Sequence, residues 1–227
     1  DLVLTEYFGV GDLEVSYNDK FLGYSLDLKG SEYYTIYLRD LTNNKNLPDQ
    51  IENTSGSITW SLDSKSFFYS KLDKFHRPRK IYKHFLGEPV KNDELIFEEK
   101  DETFTCSIGL TSDEKYFIIS TSDHITTEEH FFESISEEIK PRLFKKRKKD
   151  VRYSLDSWKE YFYVHTNENA RDYKILRCKK DNIENLEEFI PPKKETVIGG
   201  LDFLDDYIIR AEKSDAIPKL YVRNINT

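Results

Sequence analysis

The chain repeats one pattern of apolar and polar positions. Each copy has a short alternating segment, a turn containing Asp or Ser, an apolar and aromatic segment, a polar gap and a third alternating segment. Alternation with period two, enriched in β-branched and aromatic residues, predicts β-strands. The five copies are Leu13–Leu41, Ile58–Leu86, Cys106–Ser134, Val151–Lys179 and Val197–Ile225.

Equivalent central positions in successive copies, beginning with Tyr24 and Tyr69, lie 45 to 50 residues apart. This is the spacing of a four-stranded propeller blade. The continuous apolar runs Phe67–Tyr69 and Phe117–Ile119 predict second strands that are covered on both faces. Leu186–Phe189 also has a helical interpretation. A fourth strand is predicted in each gap, at Asn46–Ile51, Glu94–Glu98, Arg142–Lys146 and Leu186–Ile190.

These repeats predict an all-β fold, a partial β-propeller with four complete four-stranded blades and a fifth without its last strand. We expect one propeller fragment over residues 1–227, with blades at about 8–53, 54–101, 102–147, 148–194 and 195–227. An incomplete fifth copy does not favour a closed ring of five blades, so the chain is predicted to be an arc of a larger propeller. The sequence contains no Met, and we therefore expect it to be a piece of a longer protein.

Composition narrows the classes of function. The longest apolar runs are only a few residues and the mean hydropathy is -0.69, so no membrane span is expected. The net charge of -8 disfavours a nucleic-acid partner. The basic run 145–149 is predicted to be a solvated loop or edge strand, with a nuclear-localisation or phosphate-binding interpretation left open. Cys106 and Cys178 are too few for a disulfide scaffold, which fits a cytoplasmic location.

The sequence contains no local catalytic or metal motif. There is no Gly-rich phosphate loop and no Gly-x-Ser-x-Gly, and none of the five histidines pairs at zinc spacing. We therefore predict no catalytic residue, no metal ligand and no cofactor. Glu128 and Glu129 are adjacent and would point to opposite faces of a strand, so they are expected to be solvated charges. Asp19, Asp63 and Asp113 recur between the first two strands, where carboxylates cap a turn.

Several segments, in order and in register, resemble the propeller of the oligopeptidase B, or protease II, branch of the prolyl oligopeptidase family of serine peptidases. The resemblance implies an arc of a seven-bladed, unclosed propeller. It also implies an α/β-hydrolase domain that carries Ser, Asp and His and is absent from this sequence. The segments that carry the resemblance are Gly30–Leu41, Asp49–Trp60, Phe67–Gly87, Asp93–Glu129, Arg152–Asp156 and Leu186–Glu195.

The same resemblance implies a function. It is that of the N-terminal, substrate-gating part of a serine-type oligopeptidase that cleaves short peptides after Lys or Arg and opens by a hinge. The expected partners are the missing hydrolase domain of the same chain and short basic peptides, and the chain alone should be inactive. Glu6 and Glu52 match positions of an interdomain salt-bridge network; otherwise they are a terminal carboxylate and a turn residue. Arg39, Arg77 and Arg79 are candidates to face the central cavity.

Two other hypotheses remain. A stand-alone propeller scaffold for protein interaction is possible, although no Trp-Asp or Gly-His signature recurs. A catalytic propeller would need acidic or His residues on several inner strands, and these strands offer only Glu14.

Overall fold

The structure is a computed structural model that describes residues 7–136 and 138–225. Eighteen strands fall into four sheets of three to seven strands, which is the all-β architecture of a partial β-propeller. Within the described residues the one helix is a short 3-10 turn at Val90–Asn92, and no helix is long or apolar enough to span a membrane. The chain divides into two compact units, Asp1–Gly109 with Ser134–Pro141, and Leu110–Glu133 with Arg142–Thr227.

The first unit contains one antiparallel sheet of seven strands in sequence order. Its second copy of the repeat confirms the prediction of a strand covered on both faces, because Ser66–Ser70 are all buried. The strands are β1 (Gly9–Val15), β2 (Phe21–Asp27), β3 (Tyr34–Asp40), β4 (Lys45–Trp60), β5 (Ser66–Leu72), β6 (Pro78–Phe85) and β7 (Glu94–Glu98), and β8 (Thr105–Leu110) follows in the chain.

Strand β4 joins the first two copies of the repeat. Its first half pairs with β3, where Ile36 faces Ile51, and its second half pairs with β5. The sequence predicted two separate segments here, whereas the structure has one strand of 16 residues. Left-handed backbone at Asn53 (φ 60°) and Gly56 (φ 93°) turns the strand without ending it.

The second unit also consists of antiparallel strands that pair with their neighbours in sequence. The helical interpretation of Leu186–Phe189 is wrong, because Glu187–Ile190 form a strand that pairs with its predecessor. The strands are β9 (Tyr116–Ser122), β10 (Thr127–Glu133), β11 (Arg142–Lys145), β12 (Tyr153–Trp158), β13 (Tyr161–Thr166), β14 (Lys174–Lys179), β15 (Glu187–Ile190), β16 (Thr196–Phe203), β17 (Tyr207–Ser214) and β18 (Ile217–Asn224).

Aromatic and branched side chains fill the core of each unit. Complete burial of one such side chain contributes about 1.5–3 kcal/mol. The main cluster of the first unit is Ile36, Leu38, Ile51, Ile58, Trp60, Phe67 and Tyr69. That of the second unit is Ile118, Phe131, Phe144, Tyr153, Leu155, Phe162, Val164 and Cys178.

The turn between the first two strands is the same in three copies. Asp63 and Asp113 each accept a hydrogen bond from the backbone N–H two residues on, which confirms the predicted cap. The prediction for Asp19 is wrong by one residue: Asn18 accepts this bond, and Asp19 takes the left-handed position with φ 58°. Asn has the same acceptor geometry as Asp, so the turn survives the exchange.

Glu128 and Glu129 are both buried, so the expectation of solvated charges is wrong. Burial favours the neutral form of Glu128, but Arg147 bonds it at 3.0 Å and lowers the pKa of this carboxyl. No Lys or Arg of residues 7–136 and 138–225 forms an ion pair with Glu129. Burial raises its pKa to about 8, although the Ser120 hydroxyl donates to it at 2.6 Å.

The basic run 145–149 begins at the end of strand β11 and continues as a loop, as predicted. Its charges serve structural ion pairs. Lys145 and Lys148 both contact Glu168, and Arg147 contacts Glu128. These pairs leave less free positive charge for a phosphate.

Candidate functional site

A cavity of about 440 Å³ lies in the first unit, between the β2–β3 loop and the middle of β4. Its volume is within the range of small-ligand sites, about 300–1,000 Å³. Its lining is mixed, with two carboxylates, an ammonium group, two amides and two tyrosines. The lining residues are Leu26, Asp27, Leu28, Lys29, Ser31, Tyr33, Thr35, Tyr37, Gln50, Glu52 and Asn53.

The β2–β3 loop is fixed by Asp27, the last residue of β2. Asp27 is only 2% exposed and accepts hydrogen bonds from the backbone N–H of Lys29 (2.9 Å) and Glu32 (2.7 Å). Burial would raise the pKa of this carboxyl, but the hydrogen bonds outweigh burial and hold it below its usual value. Gly30 and Glu32 supply the left-handed backbone that the loop requires. One side of the cavity is therefore preorganised.

The opposite side of the cavity is the exposed face of β4. Asp49 and Ile51 are buried, whereas Gln50 and Glu52 are exposed and line the cavity, as strand alternation requires. Glu52 forms no ion pair or hydrogen bond with any residue of the described ranges. Lys29 lines the same cavity without pairing with Glu52. The Glu52 carboxylate is therefore available to a cation from outside the unit.

Tyr33 connects the cavity to the neighbouring β5–β6 loop. Its hydroxyl donates to the Asp73 carbonyl at 3.3 Å, and its ring centroid lies 4.0 Å from that of His76. A tyrosine face attracts cations through its ring quadrupole, which complements the carboxylate of Glu52. The cavity can therefore hold a cationic group.

Two of the predicted arginines lie at the β5–β6 connection, Arg77 in the loop and Arg79 in β6. Arg79 contacts Asp73 at 3.1 Å and Glu102 at 3.8 Å, and Arg77 donates to the Glu102 carbonyl. The structure thus places this loop beside the Glu52 cavity through Tyr33. Both arginines hold the loop to the chain segment before β8, and neither lines the cavity.

Arg39 is not brought together with the other candidates. It lies near the far end of β3, where its guanidinium donates to Asn46 at 2.8 Å and to Asn44. Its observed contacts close the β3–β4 turn. A position of the arginines at the central cavity stays a prediction, and Glu6 lies outside the described residues.

Sequence reasoning did not predict that Asp27 and Lys29 line the same cavity as Glu52. A local signal was present, because an Asp followed three residues later by Gly and then Ser is typical of a capped turn. No signal related this turn to Glu52. Among the described residues, no group of three or more His, Cys, Asp or Glu side chains is placed to hold a metal ion.

The fold and the cavity define a β-propeller domain with a polar site between the β2–β3 loop and the middle of β4. The chain belongs to the prolyl oligopeptidase family, because residues 5–227 match the model described as the prolyl oligopeptidase N-terminal β-propeller domain. This family consists of serine peptidases, which are hydrolases.

Known relatives agree with this membership. Protease 2 of Moraxella lacunata is 27% identical over 219 residues, covering 96% of this chain and 32% of that protein. Dipeptidyl aminopeptidase BI of Pseudoxanthomonas mexicana is 28% identical over 224 residues, covering 96% of this chain and 30% of that protein. The chain thus spans about a third of the length of these relatives.

A solved structure has the same fold. Oligopeptidase B from Trypanosoma brucei, with covalently bound antipain and in its closed form, superimposes with a TM-score of 0.89 at 22% identity. The match covers 97% of this chain and 31% of that one. The predicted resemblance to the propeller of oligopeptidase B is confirmed.

Proposed function

We propose that this chain is the substrate-gating propeller of a serine-type oligopeptidase that cleaves short peptides after Lys or Arg. The observation that carries the proposal is the match of residues 5–227 to the propeller of these peptidases, within relatives about three times as long. The catalytic residues then belong to an α/β-hydrolase domain of the same protein, and this chain alone hydrolyses nothing. The two cysteines are free and buried, which fits the proposed cytoplasmic location.

Glu52 is the residue we propose for the contact with the hydrolase domain. Its carboxylate is exposed, lacks a partner in the described ranges and lies on a preorganised cavity. A guanidinium or ammonium group of the hydrolase domain would find there a carboxylate and a tyrosine face. Closing the domains would partly desolvate this pair, which strengthens the Coulomb attraction between the two charges relative to an exposed ion pair. Glu6 is retained as a second proposed member of the network.

Enzyme assays test the peptidase proposal directly. The native protein is first sized by immunoblot with an antibody against this chain, and its hydrolysis of Arg, Lys and Pro esters and of a dipeptidyl substrate is compared with that of the chain alone. We expect a protein several-fold heavier than 26.9 kDa that prefers Arg and Lys, and no activity from the chain. A native protein near 27 kDa, or activity in the chain itself, would contradict the proposal.

The contact proposal is tested with Glu52→Gln in the whole protein. Glu94→Gln is the matched control, because Glu94 is also an exposed strand glutamate of the first unit and does not line the cavity. We expect E52Q to be cut several-fold faster by an added protease at low salt, with a change in kcat/KM that disappears at high salt. Equal behaviour of E52Q and E94Q would show that Glu52 does not hold the domains closed.

A further inference from the structure

A buried histidine lies between two carboxylates in the first unit. His84, on β6, is fully buried. Its Nδ1 lies 2.7 Å from Asp93 Oδ1 and its Nε2 lies 3.0 Å from Asp49 Oδ1. Asp93 follows the 3-10 turn and Asp49 lies in β4, so the imidazole joins three segments of the unit.

The geometry determines the charge of this ring. An ionised carboxylate only accepts hydrogen bonds, so both ring nitrogens must carry a proton, and the ring is an imidazolium. Burial alone would lower the pKa of His84. The hydrogen bonds to Asp93 and Asp49 outweigh burial, and the pKa is raised. A neutral ring would leave one lone pair facing an acceptor.

The charged groups that face His84 are these two carboxylates. Asp93 also accepts from the Tyr69 hydroxyl of β5 at 2.8 Å, and Asp49 accepts from the Gly87 N–H at 2.6 Å. Tyr69 remains a neutral donor because burial and Asp93 raise its pKa. The ring of Phe67, also on β5, lies 5.3 Å from the imidazole and carries no charge. Within the described residues, no Lys or Arg contacts either carboxylate.

Asp49 connects this cluster to the cavity. It belongs to the stretch of β4 in which Asp49 and Ile51 point to the core and Gln50 and Glu52 point to the cavity. A hydrogen bond that fixes Asp49 on the inner face therefore fixes the position of the next residues on the outer face. His84 touches no cavity residue itself.

We propose that His84 is a buried imidazolium that positions the middle of β4, and that its deprotonation as the pH rises releases this part of the cavity wall. His84 is a positioning residue that acts through Asp49. The effect on domain closure rests on the proposed function of Glu52, whereas the effect on β4 does not.

The direction of the pH effect follows from linkage. A histidine whose pKa is raised by folding stabilises the folded state below its unfolded pKa of about 6.5. This contribution is lost as the pH rises through the folded pKa. The inner face of β4 is therefore held most firmly below the folded pKa of His84 and loosens as the pH rises through it.

The ring charge is measured in the whole protein by ¹⁵N NMR of the imidazole nitrogens across a pH series. The signal missing from His84→Gln is that of His84, and the signal missing from His165→Gln is that of His165, a partly buried histidine. We expect both nitrogens of His84 to stay protonated to a higher pH than in a model peptide. A midpoint at or below that of the peptide would overturn the proposal. At a pH above the midpoint of the model peptide, a single wild-type histidine that keeps both nitrogens protonated would identify His84 without a variant.

Hydrogen exchange of the β4 amides measures the release. We expect protection in residues 45–60, corrected for the intrinsic pH dependence of exchange, to fall at least about tenfold as His84 loses its proton. Protection in β14 of the second unit is the control. In H84Q, protection of β4 should be low at every pH, and in H165Q it should follow the wild type. Unchanged protection of β4 through the His84 midpoint would overturn the positioning role.

The effect on domain closure is tested separately from the charge of His84 and the protection of β4. If Glu52 holds the domains closed, the difference between wild type and E52Q in protease sensitivity should shrink as His84 deprotonates. If exchange in β4 follows His84 while E52Q behaves as E94Q at every pH, the proposed function of Glu52 is wrong and the positioning of β4 stands.

Discussion

The two units handle a buried ionisable group in different ways. In the first unit, His84 lies between Asp49 and Asp93 and is held in its charged form. In the second unit, Glu129 is just as deeply buried, but among the described residues only Ser120 donates a hydrogen bond to its carboxyl, and its pKa rises to about 8. The shifts therefore favour the charged form of His84 and the neutral form of Glu129. The groups that face a buried side chain determine its charge, and burial alone does not.

Two histidines lead to the same conclusion. His165, on β13, lies 2.8 Å from the Ile198 carbonyl through Nε2, and its ring stacks on Tyr173 with centroids 4.6 Å apart. Burial lowers its pKa, because one carbonyl does not offset the cost of desolvating the charge. His84 has two carboxylates, and its pKa is raised.

The largest effect is expected from His84→Leu, matched with His165→Leu. H84L leaves two buried carboxylates without their cation, which costs about 3–5 kcal/mol of unfolding free energy at pH 7. H165L removes one hydrogen bond to a carbonyl and should cost only about 1 kcal/mol from this source. Denaturant unfolding of both variants provides the measurement. Equal losses would mean that His84 is not a counterion.

Glu129→Gln should have the next largest effect, and it should stabilise the protein. From pH 4.5 upward the unfolded state releases the Glu129 proton while the folded state retains it to about pH 8, so wild-type stability falls over this window. At about 1.4 kcal/mol per pKa unit, the penalty at pH 7 is on the order of 3–4 kcal/mol, and it levels off at about 5 kcal/mol above pH 8.

Thermal unfolding of E129Q at pH 5 and pH 9 tests this difference. The variant should resemble the wild type at pH 5 and be clearly more stable at pH 9. Ser120→Ala offers a second test. It removes the hydroxyl that favours the ionised form of Glu129 and should raise the pKa of this carboxyl further. A gain in E129Q that is independent of pH would contradict the buried, protonated carboxyl.

Equivalent turns of the two units should differ by a smaller amount. Asp113 caps its turn and also accepts from Ser157 at 2.9 Å and from Lys180 at 2.7 Å, with 8% of its side chain exposed. Within the described residues, the Asp63 carboxylate accepts only the hydrogen bond that caps its turn. We expect Asp113→Ala to cost about 2–3 kcal/mol and Asp63→Ala about 0.5–1 kcal/mol, measured by urea unfolding. Equal costs would mean that the extra bonds of Asp113 contribute nothing.

The smallest effect is expected in the basic run. Lys148 is 64% exposed in its side chain and lies 3.5 Å from Glu168. Exposed ion pairs contribute about 0–1 kcal/mol. Lys148→Ala should therefore change the unfolding free energy by less than about 0.5 kcal/mol, and raising the salt concentration should remove even this difference. A loss above 1 kcal/mol would show that the run is a buried structural element.

The strands were largely predictable because their signal is local. Alternation and aromatic enrichment located Glu94–Glu98 and the start of β11, and the repeat spacing predicted the propeller. The union of two predicted segments in β4 was missed, because it depends on left-handed backbone at Asn53 and Gly56. The wrong expectation for Glu128 has a similar origin, since Arg147 is distant in sequence and reaches it only in the folded chain.

The candidate site was predictable only in part. Glu52 was identified by a resemblance to a known family, and alternation along β4 then accounts for its exposure. The cavity that it lines requires the Asp27 loop to fold against β4, and no periodicity reports this packing. The cluster of Asp49, His84 and Asp93 was not predicted either, because histidines dispersed along a sequence show no ligand spacing.

The sequence by itself determined that this protein consists of repeated four-stranded units, because backbone alternation and turn chemistry act between residues close together in the chain. Tertiary structure alone decided which buried groups are charged. The pKa of His84 and that of Glu129 depend on neighbours brought within about 3 Å from distant segments. Electrostatic energy depends on distance in space, and separation along the sequence does not specify that distance.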